Sequence, residues 1–315
     1  MHIKKKVISV VTSAFNEELC IAELIARYAE LEHAESSYHF EFILVDNGST
    51  DLTFELMQEN SIKLQGSVEI LKLSRNFRDG GGLKAGLSRA SGDALVLMSA
   101  DLQDPPFFIS KFIRLWEQGY KNVYAEIETR NGTKILRRIN SKLFYQIAYL
   151  LSGKTMPQNA SDFRLIDRTV YEILRKSPEY NKFLRGFIAW SGFASIGVLQ
   201  QRPDRFAGKS KAKTLDTINY AVKGILSNSS VPLRLVTLIN LTAFLTYLIL
   251  LLVSLGTAGP NHQSLVLSLF VVITLSFAIL CEYIIVIYQE TKRRPQFIIE
   301  EAFNKNLSKG SNHDD

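Results

Sequence analysis

One stretch of the chain limits the possible folds more than any other feature. From Leu235 to Tyr288, 54 consecutive residues contain a single charged side chain, that of Glu282. The other 261 residues carry 67 of the 68 charged side chains, a fraction of 26% that is typical of soluble domains. The chain therefore combines a water-soluble part with a segment that water solvates poorly.

The apolar stretch divides into two segments that are each long enough to cross a lipid bilayer. As a helix, Leu235–Leu255 would be about 31 Å long, against about 30 Å for the bilayer core. The residues Gly256–Asn261 have the composition of a turn. We predict a transmembrane hairpin at 229–290, with spans at about 233–255 and 264–288. A pair of buried core helices is the alternative.

Basic residues flank this hairpin on one side only. Lys223 and Arg234 precede the first span and Lys292–Arg294 follow the second, whereas the connecting loop has neither Lys nor Arg. Cytoplasmic segments next to membrane spans are enriched in Lys and Arg. We therefore expect a cell-membrane protein with two spans. The soluble domain at 1–228, the tail at 291–315 and both termini would be cytoplasmic.

The first hundred residues alternate between apolar strands and segments with helical periodicity. Near-continuous apolar strands joined by helices are typical of a parallel sheet covered on both faces. The sequence therefore predicts an α/β fold. The predicted strands are Val7–Val11, Phe40–Val45, Val68–Leu73 and Ala94–Met98.

Polar residues follow three of these strands directly. They are Asn16–Glu17, Asp46–Asp51 and Asp101–Asp104. Ligands of open parallel sheets bind beyond the carboxyl ends of the strands. Turn formation alone explains one such cluster but not three, so the pattern indicates a ligand site at this edge.

Six short motifs precede the apolar stretch. They are AFNEE at 14–18, VDNGSTD at 45–51, LSRNF at 73–77, ADLQDPP at 100–106, SDFRLIDR at 161–168 and FLRG at 183–186. In this order they resemble family 2 glycosyltransferases of the GT-A fold, and within them the branch that makes polyprenyl-phosphate sugars (dolichol-phosphate mannose synthase and GtrB-like enzymes). The resemblance implies a Rossmann-like, mostly parallel catalytic domain followed by the two-helix hairpin.

The resemblance also implies a site for a nucleoside-diphosphate sugar. Asp46 would contact the base or ribose, while Asp101 and Gln103 would ligate Mg²⁺ or Mn²⁺ on the diphosphate. Such hard ions suit oxygen ligands and neutralise the leaving group. The implied donor-binding residues are Phe15, Asn16, Glu17, Asp46, Asn47, Ser49 and Asp101.

Two residues depart from the family pattern. Ser99 stands where the metal motif Asp-Ala-Asp has its first carboxylate, and Asn47 replaces an acidic residue. Asp104 is either an alternative carboxylate or part of a helix start. The resemblance assigns catalytic roles to Asp101 and Asp162. Asp162 would activate the acceptor or contact the sugar, or else orient Arg164.

Two basic segments are predicted to meet the acceptor. We predict an amphipathic helix at about 133–152, either at the membrane interface or packed on its own domain. Residues 202–213 contain five Lys and Arg side chains, which suit a lipid phosphate or a general anchor to anionic lipid. The resemblance implies acceptor-phosphate binding by Arg164, Arg202, Arg205, Ser210 and Lys211.

These observations predict a membrane-anchored inverting glycosyltransferase that moves a sugar to undecaprenyl or dolichyl phosphate, with a homo-oligomeric state implied by the resemblance. A different membrane lipid or a polysaccharide is an alternative acceptor. Ser99 and Asn47 motivate a second alternative, a degenerate nucleotide-sugar-binding subunit. The net charge of +6 lies partly in the two basic segments, so nucleic acid is not the expected partner.

Overall fold

The computed structural model describes most of the soluble part and both apolar helices. The predicted amphipathic helix at 133–152 lies outside the described residues, as do Ser210 and Lys211 of the basic segment. The described residues are 5–78, 80–127, 160–179, 184–203, 205–207, 226, 229–254 and 262–305.

The described part of the soluble domain is built on an eight-stranded sheet. Its strands are β1 (Val7–Ala14), β2 (His39–Asp46), β3 (Ser67–Leu73), β4 (Ala94–Ser99), β5 (Asn122–Ile127), β6 (Ala160–Asp167), β7 (Ser195–Gln200) and β8 (Ile299–Asn304). Their order is β7-β5-β6-β4-β1-β2-β3-β8. The central strands β4, β1, β2 and β3 are parallel, while β6 and β8 run antiparallel to their neighbours. The predicted α/β class and mostly parallel sheet are confirmed.

Helices cover both faces of the sheet because its strands alternate between two apolar cores. These helices are α1 (Glu18–Ala34), α2 (Thr53–Asn60), α3 (Gly81–Arg89), α4 (Phe108–Glu117), α5 (Arg168–Lys176) and α6 (Leu184–Trp190). Val10 belongs to the core under α1, α2 and α4, whereas Val11 belongs to the core under α3, α5 and α6. A Cβ on Gly86 would lie 2.3 Å from Val11, so glycine allows α3 to pack closely on β1.

Two long apolar helices follow, α7 (Val231–Ser254) and α8 (His262–Lys292). They are about 36 Å and about 46 Å long, so both are long enough to cross a bilayer. Asn240 donates a hydrogen bond to Ser276 on the opposite helix at 2.7 Å. Large apolar side chains of both helices are exposed, for example Ile249 at 61% and Phe270 at 65%. This exposure argues against a pair of buried core helices.

The tail after α8 returns to the sheet as β8, a strand that the sequence analysis did not predict. It pairs antiparallel with β3, and the backbone N–H of Ser74 donates to the carbonyl of Ile298 at 3.0 Å. A register shift beside Leu73 accompanies packing of Ile299 and Phe303 on opposite faces of the sheet. The second apolar helix is therefore joined directly to the edge of the eight-stranded sheet.

Removal of residues 299–315 should lower the apparent melting temperature by about 4–8 °C. The loss of Ile299 and Phe303 from the two cores costs about 2 kcal/mol, and each kcal/mol shifts the midpoint of a domain this size by about 2–4 °C. Tryptophan fluorescence of the protein in detergent measures the midpoint. Removal of 306–315 alone is the control, and equal midpoints for the two truncations would contradict a stabilising role of β8.

Candidate active site

A cavity of about 200 Å³ opens where the strand order of the sheet reverses. The chain leaves β1 towards β2 on one side and later returns to β4 on the other side. Such a reversal separates the two loops at the carboxyl ends and forms a binding crevice. The cavity is lined by Ser13, Ala14, Phe15, Glu17, Ser99, Ala100, Asp101 and Arg205. Two of the three predicted polar clusters therefore share one cavity.

A guanidinium bridges two carboxylates in this cavity. Arg205 lies 3.3 Å from Glu17 through Nη1 and 3.2 Å from Asp101 through Nη2. The second oxygen of Asp101 accepts the backbone N–H of Gln103 at 3.2 Å. The Gln103 side chain donates to the carbonyl of Pro203 at 3.1 Å, which holds the arginine segment across the cavity. Arg205, predicted to bind the acceptor, thus contacts the predicted donor residues.

The residues of the cavity fit a hard divalent cation only if other oxygen atoms complete its ligands. Glu17 and Asp101 supply carboxylate oxygens around a position that already attracts a cationic group. Within the described ranges, no three His, Cys, Asp or Glu side chains are grouped closely enough to hold a metal ion. Ser99 lines the cavity where a further carboxylate would stand. Phosphate oxygens of a donor are suitable additional ligands.

Asp104 lies beside this cavity but is only 2% exposed. Burial raises the pKa of its carboxyl to about 6, although Arg202 lies 3.5 Å away and opposes the shift. Helix α4 begins at Phe108 without a side-chain cap, so Asp104 does not serve as its capping residue. Arg202, like Arg205, is paired with a carboxylate.

Asp162 forms two hydrogen bonds with a residue to which the sequence analysis gave no role. Arg185 donates to both oxygens of Asp162, each at 2.7 Å. Burial alone would raise the pKa of Asp162, but Arg185, with Arg164 and Arg202 nearby, lowers it below the usual value. Asp162 is therefore a weak base. The FLRG motif contained Arg185, but spacing along the chain could not pair it with Asp162.

Arg164 lies in β6 and is 1% exposed. Its guanidinium donates to the backbone carbonyl of Ser161 at 2.6 Å. It also lies close enough to lower the pKa of Asp162. Arg164 is thus buried close to the Asp162 carboxylate. Its predicted contact with the acceptor stays a prediction.

Asp46 is fully buried at the end of β2. One of its oxygens accepts the backbone N–H of Ser49 at 3.0 Å. The other, Oδ2, is buried and has no hydrogen-bond partner among the described residues. Burial raises the pKa of this carboxyl. A ligand N–H group would satisfy the open oxygen, which agrees with the predicted contact to a base.

Asn16 and Ser49 join the loops that follow β1 and β2. The backbone N–H of Asn16 donates to the Ser49 hydroxyl, and its side-chain oxygen accepts from the backbone N–H of Thr50, both at 2.8 Å. Asn16 adopts a left-handed backbone with φ of 54°. These two predicted donor residues therefore shape the loops around Asp46.

The side chain of Asn47 explains why an amide stands there instead of a carboxylate. Its oxygen accepts the backbone N–H of Phe77 at 3.0 Å, and its nitrogen donates to the Asn76 side chain at 3.2 Å. The neighbouring Gly48 has φ of 74°, and a Cβ there would lie 2.3 Å from the carbonyl carbon of Arg75. The loop after β3 is thus held tightly against the end of β2.

Comparisons with known proteins identify the family and the fold. A family model described as glycosyl transferase family 2 matches residues 9–174. The chain belongs to glycosyltransferase family 2. It resembles the crystal structure of a mycobacterial protein with a TM-score of 0.50, at 17% identity over 71% of this chain and 75% of that one. The GT-A fold and the enzyme class predicted from the sequence are confirmed.

Two kinds of relatives span nearly the whole chain. The glycosyltransferase YkcC of Bacillus subtilis is 34% identical over 95% of this chain and 96% of its own length. A prophage bactoprenol glucosyl transferase homolog of Escherichia coli is 33% identical over 94% and 99%. The bactoprenol glucosyl transferase of Shigella phage SfII is also 33% identical, over 95% and 99%. The similarity therefore includes the apolar helices as well as the catalytic domain.

The variant Asp104→Asn should become more stable relative to the wild type as the pH rises from 4 to 7. The folded-state pKa of about 6 lies above the unfolded value of about 4, so folding favours the protonated carboxyl. The stabilisation of the folded state by the protonated carboxyl is complete below pH 4 and is lost as the pH passes 6. The free energy of unfolding of the wild type then falls by about 3 kcal/mol.

Melting temperatures measured in EDTA across this pH range test the prediction. Glu55→Gln, at an exposed position on α2, is the control and should follow the wild type. Parallel curves for Asp104→Asn and the wild type would show that Asp104 has an ordinary pKa.

Proposed function

We propose that this protein transfers a sugar from a nucleoside-diphosphate donor to polyprenyl phosphate at the cytoplasmic face of the membrane. The observation that carries the proposal is the cavity at the strand reversal, where Glu17, Asp101 and Arg205 meet in a family 2 glycosyltransferase. The names of two similar proteins, a bactoprenol glucosyl transferase and a bactoprenol glucosyl transferase homolog, support a polyprenyl phosphate acceptor. The two apolar helices supply a membrane anchor beside the catalytic domain.

The donor is proposed to bind across the ends of β1, β2 and β4. The open oxygen of Asp46 would accept an N–H of the base, and the loops tied by Asn16 and Asn47 would surround the nucleoside. Asp101, with Gln103 beside it, would hold Mg²⁺ or Mn²⁺ together with the diphosphate. The metal neutralises the leaving diphosphate when bound.

The acceptor phosphate is proposed to attack the anomeric carbon from the side opposite the leaving group, which inverts that carbon. A phosphomonoester with a second pKa of about 6 is already largely anionic at pH 7 and needs no strong base. The low pKa of Asp162 and its two bonds to Arg185 suit a positioning group better than a base. Arg202 and the basic segment that follows it would bind the phosphate.

Transfer of label to lipid tests this function. Purified protein in detergent is given labelled UDP- or GDP-sugars, Mg²⁺ or Mn²⁺, and undecaprenyl phosphate, and label is counted in the organic phase. Asp101→Asn should lower kcat/KM at least about 100-fold because it removes charge at the leaving group. Glu55→Gln, which changes an exposed carboxylate on α2, should stay within about twofold.

Two other outcomes would overturn the proposal in distinguishable ways. Donor binding without transfer to any acceptor would indicate a nucleotide-sugar-binding subunit. Transfer to diacylglycerol or polysaccharide, with none to undecaprenyl phosphate, would indicate a different acceptor class.

Asp46→Asn should weaken UDP binding about 10-fold or more. The variant can place an NH₂ group opposite the N–H of the base, so a favourable acceptor becomes a second donor. Isothermal titration with UDP measures the affinity, and the KM for undecaprenyl phosphate, expected to stay within twofold, is the internal control. An unchanged UDP affinity would remove Asp46 from the donor site.

A further inference from the structure

Arg205 differs from the other arginines of the site in the carboxylates that it contacts. Arg185 is bonded to Asp162 and Arg202 lies beside Asp104, and neither of these carboxylates lines the cavity. Arg205 lies between Asp101 and Glu17, which both line it. Its guanidinium thus occupies the position where the donor-bound divalent cation is proposed to lie.

The two carboxylates are strongly withdrawn from water. The side chains of Asp101 and Glu17 are 7% and 10% exposed, whereas that of Arg205 is 25% exposed. Two carboxylates that share a small cavity need positive charge close by, because burial without a partner is costly. A divalent cation and the guanidinium therefore compete for the same oxygen of Asp101.

We propose that Arg205 is a resident counter-ion that exchanges with the divalent cation, and that the released guanidinium binds a phosphate. This inference rests on the proposed function, because the cation is the one proposed to bind the donor diphosphate. Without the donor, water oxygens can complete its ligands. Arginine matches phosphate oxygens with two parallel N–H bonds, which makes it a suitable phosphate ligand once the carboxylate is released. The exchange keeps the charge of the cavity nearly balanced before and after donor binding.

The exchange gives Arg205 two successive partners. Before binding, Arg205 contacts Asp101, and the nearby carbonyl of Pro203 accepts a hydrogen bond from the Gln103 side chain. After binding, Arg205 faces a phosphate of either the donor diphosphate or the lipid acceptor. The phosphate group is common to both sources, and separate measurements distinguish them.

Manganese binding tests the first half of the exchange without any turnover. Full-length protein in detergent, without nucleotide, is titrated with Mn²⁺, and free Mn²⁺ is followed by electron paramagnetic resonance. Arg205→Gln should bind Mn²⁺ at least about fivefold tighter than the wild type. Arg202→Gln is the matched control, since it removes the same charge three residues away, and its affinity should change less than twofold.

Arg205→Lys provides a second variant that keeps the positive charge. A lysine ammonium keeps the charge but lacks the planar, pre-organised fork of a guanidinium, so the Mn²⁺ affinity of this variant should lie between those of the wild type and Arg205→Gln. Equal affinities for Arg205→Gln and Arg202→Gln, or no tightening in Arg205→Gln, would overturn the exchange. Melting curves of all variants verify that each is folded.

Phosphate binding tests the second half at saturating Mn²⁺. If the released guanidinium binds the donor diphosphate, Arg205→Gln should weaken UDP binding about 10-fold by calorimetry. If it binds the acceptor, UDP affinity is unchanged and the KM for undecaprenyl phosphate rises by a similar factor. If neither the UDP affinity nor the KM for undecaprenyl phosphate changes, the proposed phosphate role of Arg205 is overturned.

The wild-type titration separates failure of this inference from failure of the proposed function. A wild type that binds UDP but no Mn²⁺, with or without the nucleotide, contradicts the proposed metal step and the exchange together. A wild type that binds Mn²⁺ with UDP, beside an Arg205→Gln variant of unchanged affinity, contradicts the exchange alone.

Discussion

The site depends on the reversal of strand order between β1 and β4. The chain leaves β1 in one direction and comes back to β4 from the other, so no connection covers the end of this strand pair. A cavity forms there, and the loops after β1 and β4 supply its walls. Close packing of α3 on β1 through Gly86 and the hydrogen bond from Thr50 to Asn16 hold the β1 side of the cavity in place. The geometry of the sheet thus positions groups distant in sequence.

Electrostatic balance is the second constraint on this edge of the sheet. Asp101 and Asp104 are largely withdrawn from water and Asp162 is 32% exposed, and each is paired with an arginine from a later part of the chain. The pairs of Asp104 and Asp162 differ in the pKa of the carboxyl group. Asp162 is held ionised by Arg185, whereas Asp104 has a raised pKa. One edge therefore carries carboxyl groups of different protonation behaviour, which suits cation binding and positioning without a strong base.

The apolar helices are joined to the catalytic domain through the sheet itself. After α8 the chain adds β8 to the edge strand β3, and Ile298 bonds to the loop that begins at Ser74. The same loop crosses Gly48 and is tied to Asn47 at the end of β2. The segment after α8 and the end of β2 thus contact the same short loop.

Local patterns were sufficient for much of this protein. Apolar strands, helical periodicity and two long uncharged segments depend on neighbouring residues, so the α/β class, the four central strands and the two long helices could be predicted from the sequence. The polar residues after the strands, including Asp46 and Asp101, were also identifiable because strand ends are visible in the pattern. The tertiary structure decided which groups meet. The pairing of Arg205 with Asp101, of Arg185 with Asp162 and of β8 with β3 involves partners far apart in sequence, and burial and charge balance select such partners only in the folded chain.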